Sequence, residues 1–395
     1  MSRRLLLVVA DIFLLICAMS VCSLLAGEED AANEPTTMQI HNETAVQEVP
    51  VPDELTSIHV MLGTEPAVQD VGFLVAQKEG FYEDAGLPPV VIDWNTLCVH
   101  PARILYPGKC QFCVGDLPQI CRDVSTGSRF VVFLTLIHET TQGLLFRKDW
   151  NPEIKSLSDF NGKRIAYYAS RSISAKTALK IAGNQCELFP VTHKNAAIIQ
   201  PNAMHGLCIR SYHLPGPMHF SRHRSETAFI PFADFCNMPE DALMCTRAFA
   251  ERHGTICERF ADATLLGWQH ALSNETDAID TLERCFTENY IVFDRRILVE
   301  EFRRLRAYLT RSPLTRDSLR VSREEYSHML NLLIGTGMIE SDKAPDPNVL
   351  FYDRCIEPEP LATSESETAL HETETRDSEQ TGETGNDAPD REDEP

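Results

Sequence analysis

The chain has 395 residues, with 58 Asp and Glu against 36 Lys and Arg, giving a formal net charge of −22. Most of that charge lies towards the ends: 357–395 holds 14 acidic residues against Arg376 and Arg391, and 28–55 holds eight against no Lys or Arg, so 56–356 is close to neutral. No basic stripe is present that would neutralise phosphates, which argues against a nucleic-acid binder, and the length accommodates two ordinary domains with tails.

At the amino terminus, Arg3 and Arg4 precede an apolar run that Asp11 interrupts and that resumes through Ala26. A positive start, an apolar middle and a polar exit read as a signal peptide over 1–27, with a membrane anchor as the alternative. The acidic, proline-containing stretch 28–56 is expected to be a disordered linker.

Order is expected from 57 onward. A strand over 58–62 leads into a loop at 63–66. Then Val68, Val71, Leu74 and Val75 share one face of a helix over 68–78. Gly80 and Gly86 bracket a short turn of helix, and 90–94 is the next strand. The alternation continues with a strand at 110–114 and a helix opening at 115–118. Strands follow at 130–137, 143–147 and 163–168, then a helix at 172–182. Alternating strands and helices argue for an α/β fold with mixed, mainly parallel sheets. From Pro239 the pattern turns helical, with helices expected over 240–253, 255–273, 277–288, 298–309 and 322–335. The acidic segment from 357 is expected to be a disordered tail.

Eleven cysteines lie beyond the first 27 residues. In an oxidising compartment some would pair, and an odd number leaves at least one over. Cys110 and Cys113 form a CxxC with no second pair to complete a zinc site, and on a strand they would point to opposite faces. Buried thiols are the expectation. His205, His213, His219 and His223 invite a metal reading, but Pro215 and Pro217 argue for a loop and no supporting ligands accompany them.

Four stretches, in order, resemble the NMT1/THI5-like group of periplasmic solute-binding proteins. They are 72–87 (GFLVAQKEGFYEDAGL), 108–118 (GKCQFCVGDLP), 156–166 (SLSDFNGKRIA), and the helical set around 239–241, 249–253 (FAERH) and 261–272 (ADATLLGWQHAL). The resemblance spans roughly 57–290. It implies a two-lobe, type II periplasmic-binding-protein-like fold, with 57–146 and 236–356 in lobe 1 and 147–235 in lobe 2. Ligand would lie in the cleft, beyond the carboxyl ends of the strands.

That placement nominates Glu65 and Gln69 after the first strand, and Asp116 after the third. His138 follows the strong strand. Tyr168, Ser170 and Ser172 lie around a helix start that suits an anion, and Tyr212 and Asp234 lie further on. Plain alternatives stand beside these roles. Ser170 and Asp116 also suit helix caps, His138 a satisfied loop histidine, and the tyrosines a core.

By resemblance, the expected function is an exported protein that captures a small planar or anionic compound and delivers it to an ABC transporter permease. The candidates are a sulfonate, nitrate or a thiamine-pyrimidine-like compound. A membrane-tethered sensor or scaffold is the alternative. One enzymatic branch of the group builds a pyrimidine from its own histidine and pyridoxal phosphate. Here Asp70 stands where that histidine would be, and no histidine lies between His59 and His100. No catalytic residue, cofactor or metal is therefore expected.

Overall fold

The computed structural model describes residues 48–96, 99–168, 171–191, 204–216, 226–352 and 355–356. The segments expected as signal peptide or anchor and as acidic tail lie outside them, as do Cys98, Ser170, His219 and His223.

Two five-stranded sheets organise the described chain. The first contains β1 (Ile58–Leu62), β2 (Val90–Trp94), β3 (Phe112–Gly115), β4 (Phe130–Thr135) and β10 (Ala242–Thr246), in the order β2-β1-β3-β10-β4. The second contains β5 (Gln142–Arg147), β6 (Arg164–Tyr168), β7 (Glu187–Val191), β8 (Gly206–Arg210) and β9 (Thr227–Pro231), in the order β7-β6-β8-β5-β9. Each has the same plan. Three strands run parallel, and the fourth position is taken by an antiparallel strand that has just crossed over from the other half. In register, Ile58 faces Val90, Leu243 faces Val114, and Leu144 faces Cys208.

The crossover strands depart from expectation in two ways. Residues 142–146, expected to close the first lobe, belong to the second sheet, where β5 lies between β8 and β9. Residues 242–246, expected within a helix, form β10 between β3 and β4. Ala242, Leu243 and Met244 are good helix formers, but all five residues are buried and both strand edges are paired. Tertiary pairing overrides local preference here. Thr246 then caps the following helix, its Oγ1 accepting from the Phe249 amide at 3.2 Å.

Helices α1 (Val71–Lys78), α2 (Leu117–Ser125) and α3 (Ser172–Ile181) follow β1, β3 and β6, and α4 (Arg247–Ser273) follows β10. Helix α4 lies against α1 almost backbone to backbone. A Cβ on Gly267 would come within 2.1 Å of the Gly72 carbonyl oxygen, and one on Gly72 within 2.3 Å of the Trp268 ring. Beneath them three aromatic rings stack, Phe112 on Phe260 at 4.3 Å and Phe260 on Tyr82 at 4.9 Å between centroids. The packed chain starts earlier than expected, because Val51 and Leu55 bury against the core and the Val49 amide donates to the Tyr106 carbonyl at 2.9 Å. Apolar side chains within 48–56 outweigh the acidic composition that suggested a linker.

After α5 (Glu275–Glu288) come helices α6 (Arg295–Leu309) and α7 (Arg323–Gly335). Helix α6 packs on the turns 68–70 and 211–213, and Lys180 of α3 donates to the Thr336 carbonyl beyond α7 at 2.8 Å. Tyr352 then donates its amide to Val132 along the outer edge of β4. Among the described residues no helix is long and apolar enough to cross a membrane. The ten described cysteines are free thiols, and burial pushes those of Cys110 and Cys113 up to about 12.

Candidate functional site between the sheets

The parallel strands of both sheets deliver polar residues to their carboxyl ends, where α/β sheets form clefts. Asp116 follows β3 with an extended backbone, and its carboxylate does not cap α2. It turns instead towards the other half, accepting from Ser174 Oγ at 2.5 Å and facing Arg171 Nη1 at 3.3 Å. Burial pushes its pKa up to about 6; the Glu240 charge adds to this, and Arg171, Ser174 and Arg210 act against it.

Arg210 ends β8 and Asp241 precedes β10, so the two crossover connections bring them together. Arg210 makes a two-pronged contact with Asp241, 2.6 Å from Nη1 to Oδ2, and Arg171 Nη2 reaches Oδ1 of the same carboxylate at 2.8 Å. Burial alone would raise the Asp241 carboxyl, but the two guanidiniums hold it well below the usual carboxylate range. Glu240 accepts from Thr141 Oγ1 at 2.6 Å, from the Thr141 amide at 3.0 Å and from Gln142 Nε2 at 3.2 Å, and lies 3.5 Å from Arg210 Nε. Three buried carboxylates therefore meet two guanidiniums at the junction of the halves.

A second layer lies under α6. Tyr212 is fully buried; its hydroxyl accepts from Arg210, and its ring meets His213 edge-on at 4.5 Å. His213 joins three elements, with Nδ1 3.1 Å from Glu301 of α6 and Nε2 3.0 Å from Gln69 Oε1. Ser211 and Tyr308 share a hydroxyl contact at 2.7 Å. The Tyr168 hydroxyl, at the end of β6, is shielded from solvent and has no hydrogen-bond partner among the described residues. Burial raises its pKa, and the charges of Glu65 and Glu301 push in the same direction.

The geometry thus gathers Glu65, Gln69, Asp116, Tyr168 and Tyr212 at one junction. Ser172 lies beside them on α3, donating to Gln119 Oε1 at 3.1 Å. His138 is engaged elsewhere, between the Thr135 carbonyl at 3.2 Å and Glu325 at 3.4 Å, and Asp234 is exposed in the turn after β9. Arg171, Arg210, Glu240, Asp241, His213 and Glu301 were missed as site residues. For Arg210 the signal was present, a charge ending a run of apolar residues at 206–209. Glu240 and Asp241 were hidden by the helical reading of their segment. Away from the cleft, Glu79, His270 and Asp277 bring ligand atoms within 4.8 Å of one another, but Lys78 contacts both carboxylates and already supplies the positive charge there.

A family model described as NMT1/THI5 like matches residues 68–278. Among solved structures, the alkanesulfonate-binding protein SsuA from Xanthomonas axonopodis pv. citri bound to MOPS is 11% identical, with TM-score 0.56, covering 77% of this chain and 99% of its own. The periplasmic aliphatic sulphonate binding protein SsuA from Escherichia coli is 13% identical, with TM-score 0.54, over 86% and 99%. The periplasmic nitrate-binding protein NrtA from Synechocystis PCC 6803 is 12% identical, with TM-score 0.52, over 74% and 84%. These likenesses establish the two-lobe periplasmic-binding-protein fold. No curated protein matches the sequence.

Proposed function

Since the chain belongs to the NMT1/THI5-like family, we propose that it is an exported solute-binding protein that holds a small planar compound between its two halves for an ABC-type permease. One observation carries this reading. The carboxyl ends of β3 and β8, from different sheets, meet in a shared buried network of Asp116, Arg171, Arg210 and Asp241, where a bound solute would be sensed by both halves at once. Glu65, Gln69, Tyr168 and Tyr212 are the proposed contacts, with the half-buried Tyr168 ring offering a flat apolar face. The role is binding rather than catalysis. Asp70 cannot supply the ring atoms of the histidine used in the enzymatic branch, and it is itself occupied, accepting from the Ala67 amide at 2.9 Å.

The alternative, a tethered sensor or scaffold with the same cleft, draws support from α6 and the turn after α7. They tie both halves together and would oppose wide opening.

Native mass spectrometry of the purified protein, followed by extraction under denaturing conditions, tests the proposal. A stoichiometric small molecule that also raises the melting temperature on re-addition is expected. Protein that carries nothing, and that no solute panel stabilises, would count against it.

A further inference from the structure

Resting on this solute-binding reading, we infer that the solute carries a positively charged nitrogen group and is not a sulfonate or nitrate. Both guanidiniums at the junction are already committed. Arg171 is shared between Asp241 at 2.8 Å and Asp116 at 3.3 Å, and Arg210 is forked onto Asp241 with Glu240 beside it. Arg304, at the rim, is paired with Glu300 at 2.9 Å. An anion would have to displace a carboxylate from a guanidinium in a region where Asp116 and Asp241 are buried, leaving that carboxylate desolvated and unpaired.

The remaining charge has the opposite sign. The charges of Glu65, in the loop after β1, and of Glu301, on α6, both act on Tyr168 at the end of β6. Counting Asp116, Glu240, Asp241, Glu65 and Glu301 against Arg171 and Arg210, the site holds an excess of negative charge, with or without a proton on His213. Glu301 is engaged by His213. Glu65 is half-buried and has no hydrogen-bond or ion-pair partner among the described residues. The Tyr168 hydroxyl, on which the Glu65 charge acts, is also unpartnered among them. A protonated amine, amidinium or ring nitrogen can donate to the Glu65 carboxylate and to the hydroxyl oxygen while its charge lies near the tyrosine ring, a combination that suits cations and not anions.

Three probes with the same ring and different charge test this on the full chain: benzamidinium, benzamide and benzoate, measured by calorimetric titration. Benzamidinium is expected to bind and benzoate not to bind. Glu65→Gln should weaken benzamidinium about tenfold, the loss of one partly screened charge contact, and raised salt should weaken it in the same way. Benzoate binding in preference to benzamidinium would overturn the inference and leave the solute-binding reading intact. So would benzamidinium binding that Glu65→Gln does not change, because the charge would then be read elsewhere. If none of the probes binds while mass spectrometry finds a co-purified anion, the charge assignment fails alone. Absence of any co-purified or added solute would remove the solute-binding reading itself.

Discussion

Replacing Asp241 by Ala should be among the most damaging single changes in the chain. Its side chain is 4% exposed and contacts both Arg171 and Arg210, the latter also 4% exposed. Truncation leaves two guanidiniums with only Asp116 and Glu240 as opposing charges, in a region from which water is largely excluded. Breaking a buried pair in this way costs about 3–5 kcal/mol, because the surviving charge keeps its desolvation penalty and loses its compensation. Arg303, 64% exposed in its contact with Glu275, supplies the control, and Arg303→Ala should cost less than about 1 kcal/mol. Urea unfolding followed by tryptophan fluorescence measures both. The double change Arg210→Met with Asp241→Leu separates lost charge compensation from lost packing, and it should recover at least about half of the single-variant loss, since it removes both members of the pair. An Asp241→Ala cost below about 1 kcal/mol, or a double variant no more stable than the single one, would refute the claim that these charges are desolvated and mutually dependent.

The Asp116 carboxyl, raised from 3.8 to about 6, holds its proton more tightly in the folded than in the unfolded chain. Its contribution is therefore full below pH 3.8 and is lost as pH rises to about 6, a change of about 3 kcal/mol in the stability difference between wild type and Asp116→Asn across that window, and none above it. Chemical denaturation at a series of pH values checks this, and a difference independent of pH would contradict it. Gly72→Ala places a Cβ 2.3 Å from the Trp268 ring and should cost about 1–3 kcal/mol or more as overpacking. Gly335→Ala, at the end of α7 with nothing within 4 Å of the added Cβ, should be neutral or stabilise by up to about 1 kcal/mol; thermal melts distinguish the two. Of the ten described thiols, Cys186 is the one that is not buried, so peptide mapping after brief alkylation of the native protein should find it modified before the other nine.

Much of the fold could be read from local pattern. The bounds of β1 and β2 match the alternation and turn residues that announced them, and α3 begins at the expected Ser172. The continuous apolar run of β4 announced a strand covered on both faces, and its six residues are buried. Asp116, Glu65, Gln69 and Tyr168 could be nominated because ligand clefts in α/β sheets follow strand ends, and strand ends are local features.

Other features depended on partners far along the chain. The span 242–246 reads as helix because its intrinsic preferences are helical; it is a strand because β3 and β4 leave a slot between them that only an antiparallel segment returning from the second half can fill. The same return brings Asp241 to Arg210 and Glu240 to Thr141, pairs separated by 31 and 99 positions. The sequence by itself therefore determined the alternation of strands and helices, the near-neutral body and the strand-end positions where a cleft would form. Only the tertiary structure decided which sheet each crossover strand joins and which charges are cancelled. Whether a guanidinium is available to an anion depends on the carboxylate that packs against it, and no local pattern records that neighbour.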